Sequence, residues 1–356
     1  MIVFGAPRRY VQGPGALAGI GKELAMLGRS AVLIADARVM DLVGATMAGS
    51  AAAAGVALAP ITFGGEITYA EIARITAAIG ASRPDVIIAA GGGKTIDTGK
   101  IVARDTGGAF VSVPTIASND SPTSHIAVVY DADHRLVGVE EHRFNPDLVL
   151  VDTDVIIRAP LELLSAGVGD ALVKVFEVEQ CVGAGGMNVF GARSPLTALA
   201  LARACYATVR ENLDAAYAAH ADGTPDAAFE ALVEASVLMS GLAFESGGLS
   251  ISHGMTRGLS AVPGVASALH GHQVAYGLLV QLELERRDAG FMQDMRAFYR
   301  SAGLPLKLVE LGADQASNST VTTIAEVSAT AAHMKKFSRP ITATDIAEAI
   351  QRVEAA

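Results

Sequence analysis

Short apolar runs alternate with longer mixed segments along the N-terminal part of the chain. Runs rich in β-branched residues predict six strands, at Ala31–Ala35, Leu58–Ile61, Val86–Ala90, Phe110–Val113, Ile126–Tyr130 and Leu148–Val151. The stretches between them predict helices at Gly15–Leu27, Val39–Ala54, Tyr69–Ala81 and Thr95–Ala103. Strands and helices that alternate over short connections are typical of a mainly parallel sheet covered on both faces.

One apolar run departs from this alternation. Ile126–Tyr130 is followed by a charged turn at 131–134 and then by Leu136–Val139, which predicts a hairpin beside the main sheet. After Pro160 the β-branched runs nearly vanish. Long segments with apolar residues at three-to-four spacing follow, at Pro195–Arg210, Asp226–Glu245 and Gly271–Arg287.

These patterns predict an α/β protein with an N-terminal parallel-sheet domain at 1–158 and an all-helical C-terminal domain at 159–356. A chain of 356 residues is long enough for two domains with full cores. We expect a ligand in the cleft between the halves, outside the carboxyl ends of the strands.

Charge and cysteine content narrow the class of protein. The 27 basic and 37 acidic side chains give a formal charge of −10, which argues against nucleic acid or an anionic membrane surface as the main partner. The apolar runs above are far shorter than a membrane span of ~20 residues, and the N-terminus has no signal-peptide pattern. The two cysteines, Cys181 and Cys205, form no CxxC motif, which favours a reduced, cytoplasmic setting.

The apolar run Val86–Ala90 ends in three glycines, Gly91, Gly92 and Gly93, and a predicted helix begins directly after them. A strand, a glycine-rich turn and a helix N-terminus aim backbone N–H groups at a pyrophosphate, so this motif predicts a nucleotide site. Close packing of the turn alone is the alternative explanation for the glycines. We therefore interpret the N-terminal domain as nucleotide-binding.

Asp36 stands at the end of the predicted strand Ala31–Ala35. An acid at that place accepts hydrogen bonds from an adenosine ribose and repels a 2′-phosphate, which favours NAD over NADP. A helix N-cap explains the same residue equally well. The turn Gly13-Pro14-Gly15 follows no clear strand and lacks GxGxxG spacing, so we do not expect an ordinary dinucleotide-binding fingerprint.

Two of the eight histidines lie in apolar, glycine-broken segments of the helical half. His253 follows Phe244-Glu-Ser-Gly-Gly-Leu-Ser-Ile-Ser, and His270 precedes an apolar helix. Asp170, in Gly-Val-Gly-Asp, is the best carboxylate partner. Two imidazoles and a carboxylate would supply the three ligands of a catalytic zinc, whereas hydrogen-bonded core histidines and a helix cap are the alternative.

Taken in order, several motifs resemble the glycerol dehydrogenase family, which belongs to the superfamily of iron-type alcohol dehydrogenases and dehydroquinate synthases. The motifs are YVQGPGAL, GGGKTIDTGK, VPTIASNDSPTS, FNPDLVLVDT, GVGDAL followed by FE, FESGGLSISHG and HGHQVAYGLLVQLELE. The resemblance covers most of the chain. It implies an N-terminal NAD-binding α/β domain, a C-terminal metal- and substrate-binding helical domain, and a zinc ion between them.

The resemblance also implies roles for individual residues. Asp170, His253 and His270 match the zinc ligands, and Lys174 replaces the further histidine that iron-type relatives carry one helical turn after the aspartate. Asp120 matches an acid that binds the substrate hydroxyls, although an Asx turn before Pro122 explains it equally well. The predicted cofactor-binding residues are Asp36, from its place at a strand end, and, along the motifs, Gly91, Gly92, Gly93, Lys94, Thr95, Asp97, Thr115 and Ser124.

We predict an NAD-dependent dehydrogenase of a small vicinal diol or polyol, with glycerol oxidised to dihydroxyacetone as the leading reaction. Zinc would act as the Lewis acid on the reacting hydroxyl, and hydride would pass to the nicotinamide. Phe244 would pack near the nicotinamide, or be a core aromatic. His272 would relay a proton to solvent, or simply face water.

Some positions depart from the family pattern near the expected pocket. Relatives often read HxxHNG where this chain has Thr256 and Arg257, a usual glutamate is replaced by His272, and the stretch 335–340 differs from an HNMP-like segment. The alternatives are a glycerol-1-phosphate dehydrogenase and a lyase of the dehydroquinate synthase type. A regulatory protein without activity is a third. Relatives also imply a homo-oligomer.

Overall fold

The computed structural model describes residues 1–131 and 136–356. Its strands are β1 Tyr10–Gly13, β2 Ser30–Ala35, β3 Ala57–Thr62, β4 Val86–Gly91, β5 Ala109–Pro114, β6 Ile126–Tyr130, β7 Leu136–Glu141 and β8 Leu148–Asp152. Six of them form one parallel sheet in the order β1-β8-β5-β4-β2-β3, and β6 and β7 form a second, antiparallel sheet. The predicted parallel sheet and the hairpin strands are confirmed. The predicted turn of the hairpin at 131–134 lies mostly outside the described residues.

Helices cover the sheet and build the rest of the protein. They are α1 Ile20–Ala25, α2 Ala37–Ala53, α3 Tyr69–Ile79, α4 Gly93–Thr106, α5 Thr153–Ile156, α6 Leu161–Leu172, α7 Lys174–Gly183, α8 Leu196–Asp222, α9 Ala227–Glu234, α10 Ser240–Gly247, α11 Ile251–Leu259, α12 His270–Leu284, α13 Ala289–Ala302, α14 Asn318–Ala329 and α15 Ala343–Ala355. A π-helical turn, Ala235–Met239, joins α9 to α10. The predicted fold class is therefore confirmed.

Apolar side chains cover both faces of the main sheet. On one face, Leu33, Ile88 and Val111 pack with residues of α1 and α2. On the other, Ile34, Ile87 and Phe110 pack with residues of α3 and α4. Burial on both faces explains why the central strands are continuously apolar rather than alternating.

Backbone contacts divide the chain into two compact units. The sheet unit comprises Gly5–Ala159 and Ala218–Val237, and the helical unit comprises Met1–Phe4, Pro160–Tyr217 and Leu238–Ala356. Gln12 Nε2 donates to Glu230 Oε2 over 2.6 Å, and Thr153 Oγ1 also donates to Glu230, so one half-buried glutamate attaches α9 to β1 and α5 within the sheet unit. The predicted functional division into an NAD-binding and a metal-binding part stays a prediction.

The sequence prediction was wrong about the start of the chain. The turn Gly13-Pro14-Gly15 does follow a strand, because β1 pairs in parallel with β8 at the edge of the sheet. Only four residues pair and all are half-buried, so β1 lacks the apolar run that marks the central strands. The helix predicted over Gly15–Leu27 is divided into a 3₁₀ turn, Ala16–Gly19, and the short α1.

One continuous helical stretch among the described residues, Ala227–Gly247, is long and apolar enough to span a membrane by length and composition alone. Of its most apolar window, 56% is buried inside the protein. A single stretch of this kind is a weak indication, because buried core helices pass the same test. The expectation of no membrane partner stays a prediction.

Candidate active site

Three polar side chains line one side of an otherwise apolar helical segment. Asp170 lies near the end of α6, and Lys174 and Glu177 lie in the first turns of α7, which follows after Val173 alone. Positions four and three residues apart share a helix face, so these side chains point the same way. All three are fully buried. Buried charge at this density requires partners within the protein.

Two histidines from other helices converge on Asp170. His253 lies in α11 and His270 is the first residue of α12. One ligand atom from each of Asp170, His253 and His270 lies within 4.8 Å of the other two, and the imidazole centroids are 5.5 Å apart. The predicted metal ligands are therefore brought together in the helical unit.

Glycines allow this convergence. A Cβ atom at Gly271 would lie 1.8 Å from the carbonyl oxygen of Ala166, and one at Gly169 would lie 2.7 Å from that of Gly271. Helices α6 and α12 thus touch backbone to backbone at the positions next to Asp170 and His270. The Gly-Asp and His-Gly pairs of the sequence are a packing requirement that places two ligands side by side.

Glu177 holds His253 in one orientation. Its Oε2 lies 2.5 Å from His253 Nδ1, and its Oε1 accepts hydrogen bonds from the backbone N–H groups of Ser250 and His253 at 2.9 and 3.0 Å. The carboxylate therefore caps the first turn of α11, whose positive end stabilises it. Because Nδ1 is engaged, Nε2 of His253 is the nitrogen left to bind a metal ion.

The charges of the cluster shift one another's pKa values. Burial alone would lower the pKa of His253, but the Glu177 and Asp170 carboxylates outweigh it and raise that pKa to about 9. Burial opposes ionisation of Asp170, yet Lys174 and the two histidines hold its pKa well below the usual range. The pKa of His270 is lowered because the loss of water around its ring disfavours the charged form, and the positive charge of His253 reinforces this effect.

The donor set fits a metal ion. Within the described residues, Asp170 Oδ2 is a buried oxygen with no hydrogen-bond partner, and such an orphan is costly unless a cation satisfies it. His270 remains exposed on one side, as an open ligand position requires. Lys174 is not a fourth ligand, because its ammonium donates to Asp170 Oδ1 over 2.5 Å.

The glycine-rich turn lies in the sheet unit, between β4 and α4. Gly91 has φ +152°, and a Cβ atom there would lie 2.6 Å from Thr95 Oγ1. Cβ atoms at Gly92 and Gly93 would collide with the side chains of Ile116 and Asn119, at 2.9 and 2.8 Å. The positive φ and the contact with Thr95 therefore require glycine at position 91, whereas the contacts at Gly92 and Gly93 are with the flexible ends of side chains. No side chain caps α4, so the N-terminal turn of this helix is suited to an anion.

Known proteins similar to this chain share its length and fold. The sequence profile of iron-containing alcohol dehydrogenases matches residues 7–153. A glycolaldehyde reductase of Halobacterium salinarum is 38% identical over 310 residues, covering 87% of this chain and 85% of the relative. A glycerol dehydrogenase of Thermotoga maritima is 37% identical over 323 residues, covering 90% of this chain and 87% of the relative.

The crystal structure of a probable glycerol dehydrogenase from Sinorhizobium meliloti superimposes with a TM-score of 0.93 at 34% identity, covering 100% of this chain and 99% of that one. The chain belongs to the glycerol dehydrogenase family of iron-containing alcohol dehydrogenases. It is an enzyme, an oxidoreductase. The resemblance inferred from the motifs is thereby confirmed.

Within this glycerol dehydrogenase fold, two of the predicted cofactor residues belong to a buried network around Lys100. The Lys100 ammonium lies 2.9 Å from Asp97 Oδ1 and 3.1 Å from Ser124 Oγ, and also contacts the backbone oxygens of Ser121 and Ile126 at 2.7 Å. Asp97 Oδ2 accepts from the N–H of Val128. Both Asp97 oxygens are engaged within the protein, which favours a supporting role over a direct cofactor contact.

The other predicted cofactor residues either bond to groups of the protein itself or contact the glycine-rich turn. Asp36 Oδ1 accepts from the N–H of Val39 over 2.9 Å, so Asp36 is the N-cap of α2. Lys94 pairs with Glu66 at 2.7 Å on the surface. Thr95 is buried against Gly91, and the N–H of Thr115 donates to the carbonyl oxygen of Gly91. Their contacts with a cofactor stay predictions.

The predicted substrate residues lie in both units. Asp120 is buried beside the 3₁₀ turn Ser121–Thr123 of the sheet unit. Phe244 is buried in the helical unit with its ring centroid 5.6 Å from the Lys174 ammonium. His272 Nε2 lies 3.2 Å from Ser165 Oγ, so His272 is tied to α6 rather than facing water freely. Burial lowers the pKa of His272.

The departures from the family pattern also have definite places in the structure. Thr256 Oγ1 donates to the carbonyl oxygen of His253 over 2.7 Å, which closes the turn that carries this ligand. Arg257 is exposed in the last turn of α11.

Sequence reasoning missed Glu177 and Lys100. The signal for Glu177 was present, since Asp170, Lys174 and Glu177 are polar positions at four-to-three spacing within an apolar stretch. Lys100 gave a weaker signal, because only Asp97 is close to it in the sequence and its other partners, Ser121, Ser124 and Ile126, lie 21 to 26 positions further along the chain.

Proposed function

We propose that this enzyme is a metal-dependent dehydrogenase that transfers hydride between NAD and a small vicinal diol or polyol, with glycerol as the leading substrate. The observation that carries the proposal is the buried cluster of Asp170, His253 and His270 with its orphan carboxylate oxygen. The names of the relatives, glycerol dehydrogenase and glycolaldehyde reductase, support an alcohol or carbonyl substrate with a neighbouring hydroxyl.

The chain's own residues prepare the site. Asp170, His253 and His270 would hold the metal ion, and Glu177 fixes the tautomer of His253 so that Nε2 carries the lone pair. A metal ion bound there supplies Lewis-acid chemistry that lowers the pKa of a hydroxyl and stabilises the alkoxide. Phe244, buried next to Lys174, would shield one side of the site from water.

We propose NAD as the hydride acceptor. The uncapped N-terminus of α4 and the close turn at Gly91–Gly93 support pyrophosphate binding in the sheet unit. Asp36 would disfavour the 2′-phosphate of NADP through its negative charge. Asp120, in the same unit, would accept a hydrogen bond from the hydroxyl that does not react.

We propose zinc rather than iron, although the family profile carries iron in its name. Three donors, two of them imidazoles, match an open zinc site. Lys174 stands where a fourth imidazole ligand would favour iron, and its ammonium cannot act as a ligand while it donates to Asp170.

Glycolaldehyde reduction is the second candidate, because a relative with that name is 38% identical. Glycolaldehyde carries a hydroxyl next to its carbonyl, so a metal ion that binds a diol would bind it as well. A phosphorylated substrate would need cations near the site, and the exposed Arg257 supports that alternative only weakly.

The deciding experiment combines metal content with a substrate panel. Elemental analysis of protein purified without added metal should give about one zinc per chain and little iron. Initial rates of NADH formation should favour glycerol and ethylene glycol over propan-1-ol and glycerol 1-phosphate, and chelation should abolish them. Full activity of metal-free protein would refute the proposal, and stoichiometric iron would refute the choice of zinc.

We also propose that the enzyme is cytoplasmic and forms a homo-oligomer. The buried thiols of Cys181 and Cys205, which form no disulfide among the described residues, support a reducing setting. Light scattering coupled to gel filtration measures the oligomeric state, and a monomer at micromolar concentration would contradict this part.

A further inference from the structure

Lys174 is the one feature of the cluster that metal binding does not explain. Its ammonium is fully buried, 2.5 Å from Asp170 Oδ1 and 3.4 Å from His253 Nε2. It also lies over the ring of Phe244, 5.6 Å from the centroid. A cation thus touches two of the three residues that would hold a metal ion.

The surroundings explain why a lysine is tolerated there. Asp170 and Glu177 are two fully buried carboxylates within one cluster, and each would be strongly destabilised without a nearby positive charge. The Lys174 ammonium neutralises Asp170 directly. The electron-rich face of Phe244 adds a weaker attraction for the same cation.

The same charge must oppose a divalent ion. Like charges a few ångströms apart inside a protein repel strongly, because the interior screens them less than water does. Asp170 offers two oxygens, and Lys174 occupies Oδ1 while Oδ2 has no partner among the described residues. Lys174 and a metal ion would therefore share one carboxylate.

We propose that Lys174 is a built-in counter-ion that keeps the ligand cluster stable before metal binds and, by sharing Asp170, weakens the affinity of the site for the metal. This inference rests on the metal site of the proposed function. It assigns Lys174 a role in setting metal affinity, which differs from that of a ligand and from that of a packing residue. Packing alone would make every substitution weaken the site.

The test compares two variants of the full-length protein. Lys174→Met keeps the length and removes the charge, and Lys174→Gln removes the charge but keeps a hydrogen-bond donor. Zinc and cobalt affinities are measured by competition with a chromophoric chelator, and thermal unfolding is followed with and without metal. Lys100→Met is the matched control, because it removes another fully buried lysine that pairs with an aspartate of its own helix.

We expect both Lys174 variants to bind zinc at least about tenfold more tightly than the wild type. Their metal-depleted forms should unfold at least about 5 °C lower, and added metal should raise their melting temperature more than that of the wild type. Lys100→Met should lose stability with no change in metal affinity. If a Lys174 variant folds only with metal, the ion has replaced the missing cation, which supports the proposal.

Unchanged or weaker zinc binding in both variants would overturn the proposal, since Lys174 would then merely position Asp170. Equal stability of the metal-depleted wild type and variants would overturn it as well. Failure of the proposed function has a different signature, because the wild type itself would then bind no metal.

Discussion

Each unit contains a buried lysine–aspartate pair, and the two pairs differ in how many carboxylate oxygens are hydrogen-bonded. Lys100 pairs with Asp97 within α4 at 2.9 Å, and Lys174 pairs with Asp170 across the start of α7 at 2.5 Å. In the first pair both carboxylate oxygens are used, by Lys100 and Ser121 and by the N–H of Val128. In the second, Asp170 Oδ2 has no partner within the described residues.

This difference distinguishes a structural ion pair from an ion pair that belongs to a binding site. A buried charge pair with every oxygen satisfied holds a loop in place, as Lys100 holds the segment from Ser121 to Ile126. A pair that leaves one oxygen buried and unsatisfied, next to two imidazoles, leaves an acceptor available for a cation. Burial and pairing alone do not distinguish the two.

The largest effect should come from the imidazoles that only the second pair possesses. His253→Ala or His270→Ala should reduce the bound metal to background and abolish turnover, because two donors cannot retain the ion. Elemental analysis and NADH formation measure both. Binding of NAD, followed by fluorescence titration, should be retained. Wild-type turnover in either variant would show that the cluster is a structural network like that of Lys100.

Removing the structural pair should lower the free energy of unfolding and leave metal affinity unchanged. Lys100→Met leaves Asp97 buried without its counter-charge, a change that costs about 3–5 kcal/mol. Urea unfolding gives the free energy of unfolding. Lys94→Met, which breaks the exposed pair with Glu66, is the control and should cost less than about 1 kcal/mol. Equal losses in the two variants would mean that the Lys100 network is not a buried clamp.

Asp120 lies directly before the segment that Lys100 holds. Replacing it tests whether this part of the chain also binds the substrate. Asp120→Ala should lower kcat/KM for diols by the value of one charged hydrogen bond, about 1.5–3 kcal/mol, and leave monoalcohols nearly unchanged. Steady-state kinetics on glycerol and propan-1-ol decide the matter. Equal loss on both alcohols, with a lower melting temperature, would assign Asp120 to the turn alone.

Glu177 sharpens the comparison because it supports the ligand cluster without touching the ion. In Glu177→Gln, an amide N–H would face His253 Nδ1, which forces that nitrogen to accept and moves the proton to Nε2, the metal-binding atom. Metal affinity should fall by about 10–100-fold. Chelator competition measures it, and Glu179→Gln on the surface of the same helix is the control. Unchanged affinity would limit Glu177 to capping α11.

The sequence predicted the parts of this molecule that rest on local pattern. Continuous apolar runs predicted β2, β4, β5 and β8, because a strand buried on both faces has apolar residues at successive positions. The strand β1 was missed because its residues, such as Tyr10 and Gln12, are only half-buried and do not form an apolar run. Its place is set by pairing with β8, which local pattern does not encode.

The candidate site was likewise predictable in part from the sequence. Motif resemblance named Asp170, His253 and His270, whose convergence the structure shows. The difference between Asp97 and Asp170 could not be predicted, because it depends on which oxygens find donors in segments distant along the chain, such as Ser121 and Val128 for Asp97. Only the packed structure shows that one carboxylate is saturated and the other is not.

The smallest effect should come from Asp36, a carboxylate that is engaged through one oxygen as a helix cap. Asp36→Asn keeps the cap and removes the charge, and Asp36→Gly removes both at a cost of only a few tenths of a kcal/mol. If the charge opposes a 2′-phosphate, both variants should raise the ratio of kcat/KM for NADP to that for NAD. Asp288→Gly, which removes the similar cap of α13, should leave the ratio unchanged. An unchanged ratio in both Asp36 variants would show that Asp36, like Asp97, serves the fold alone.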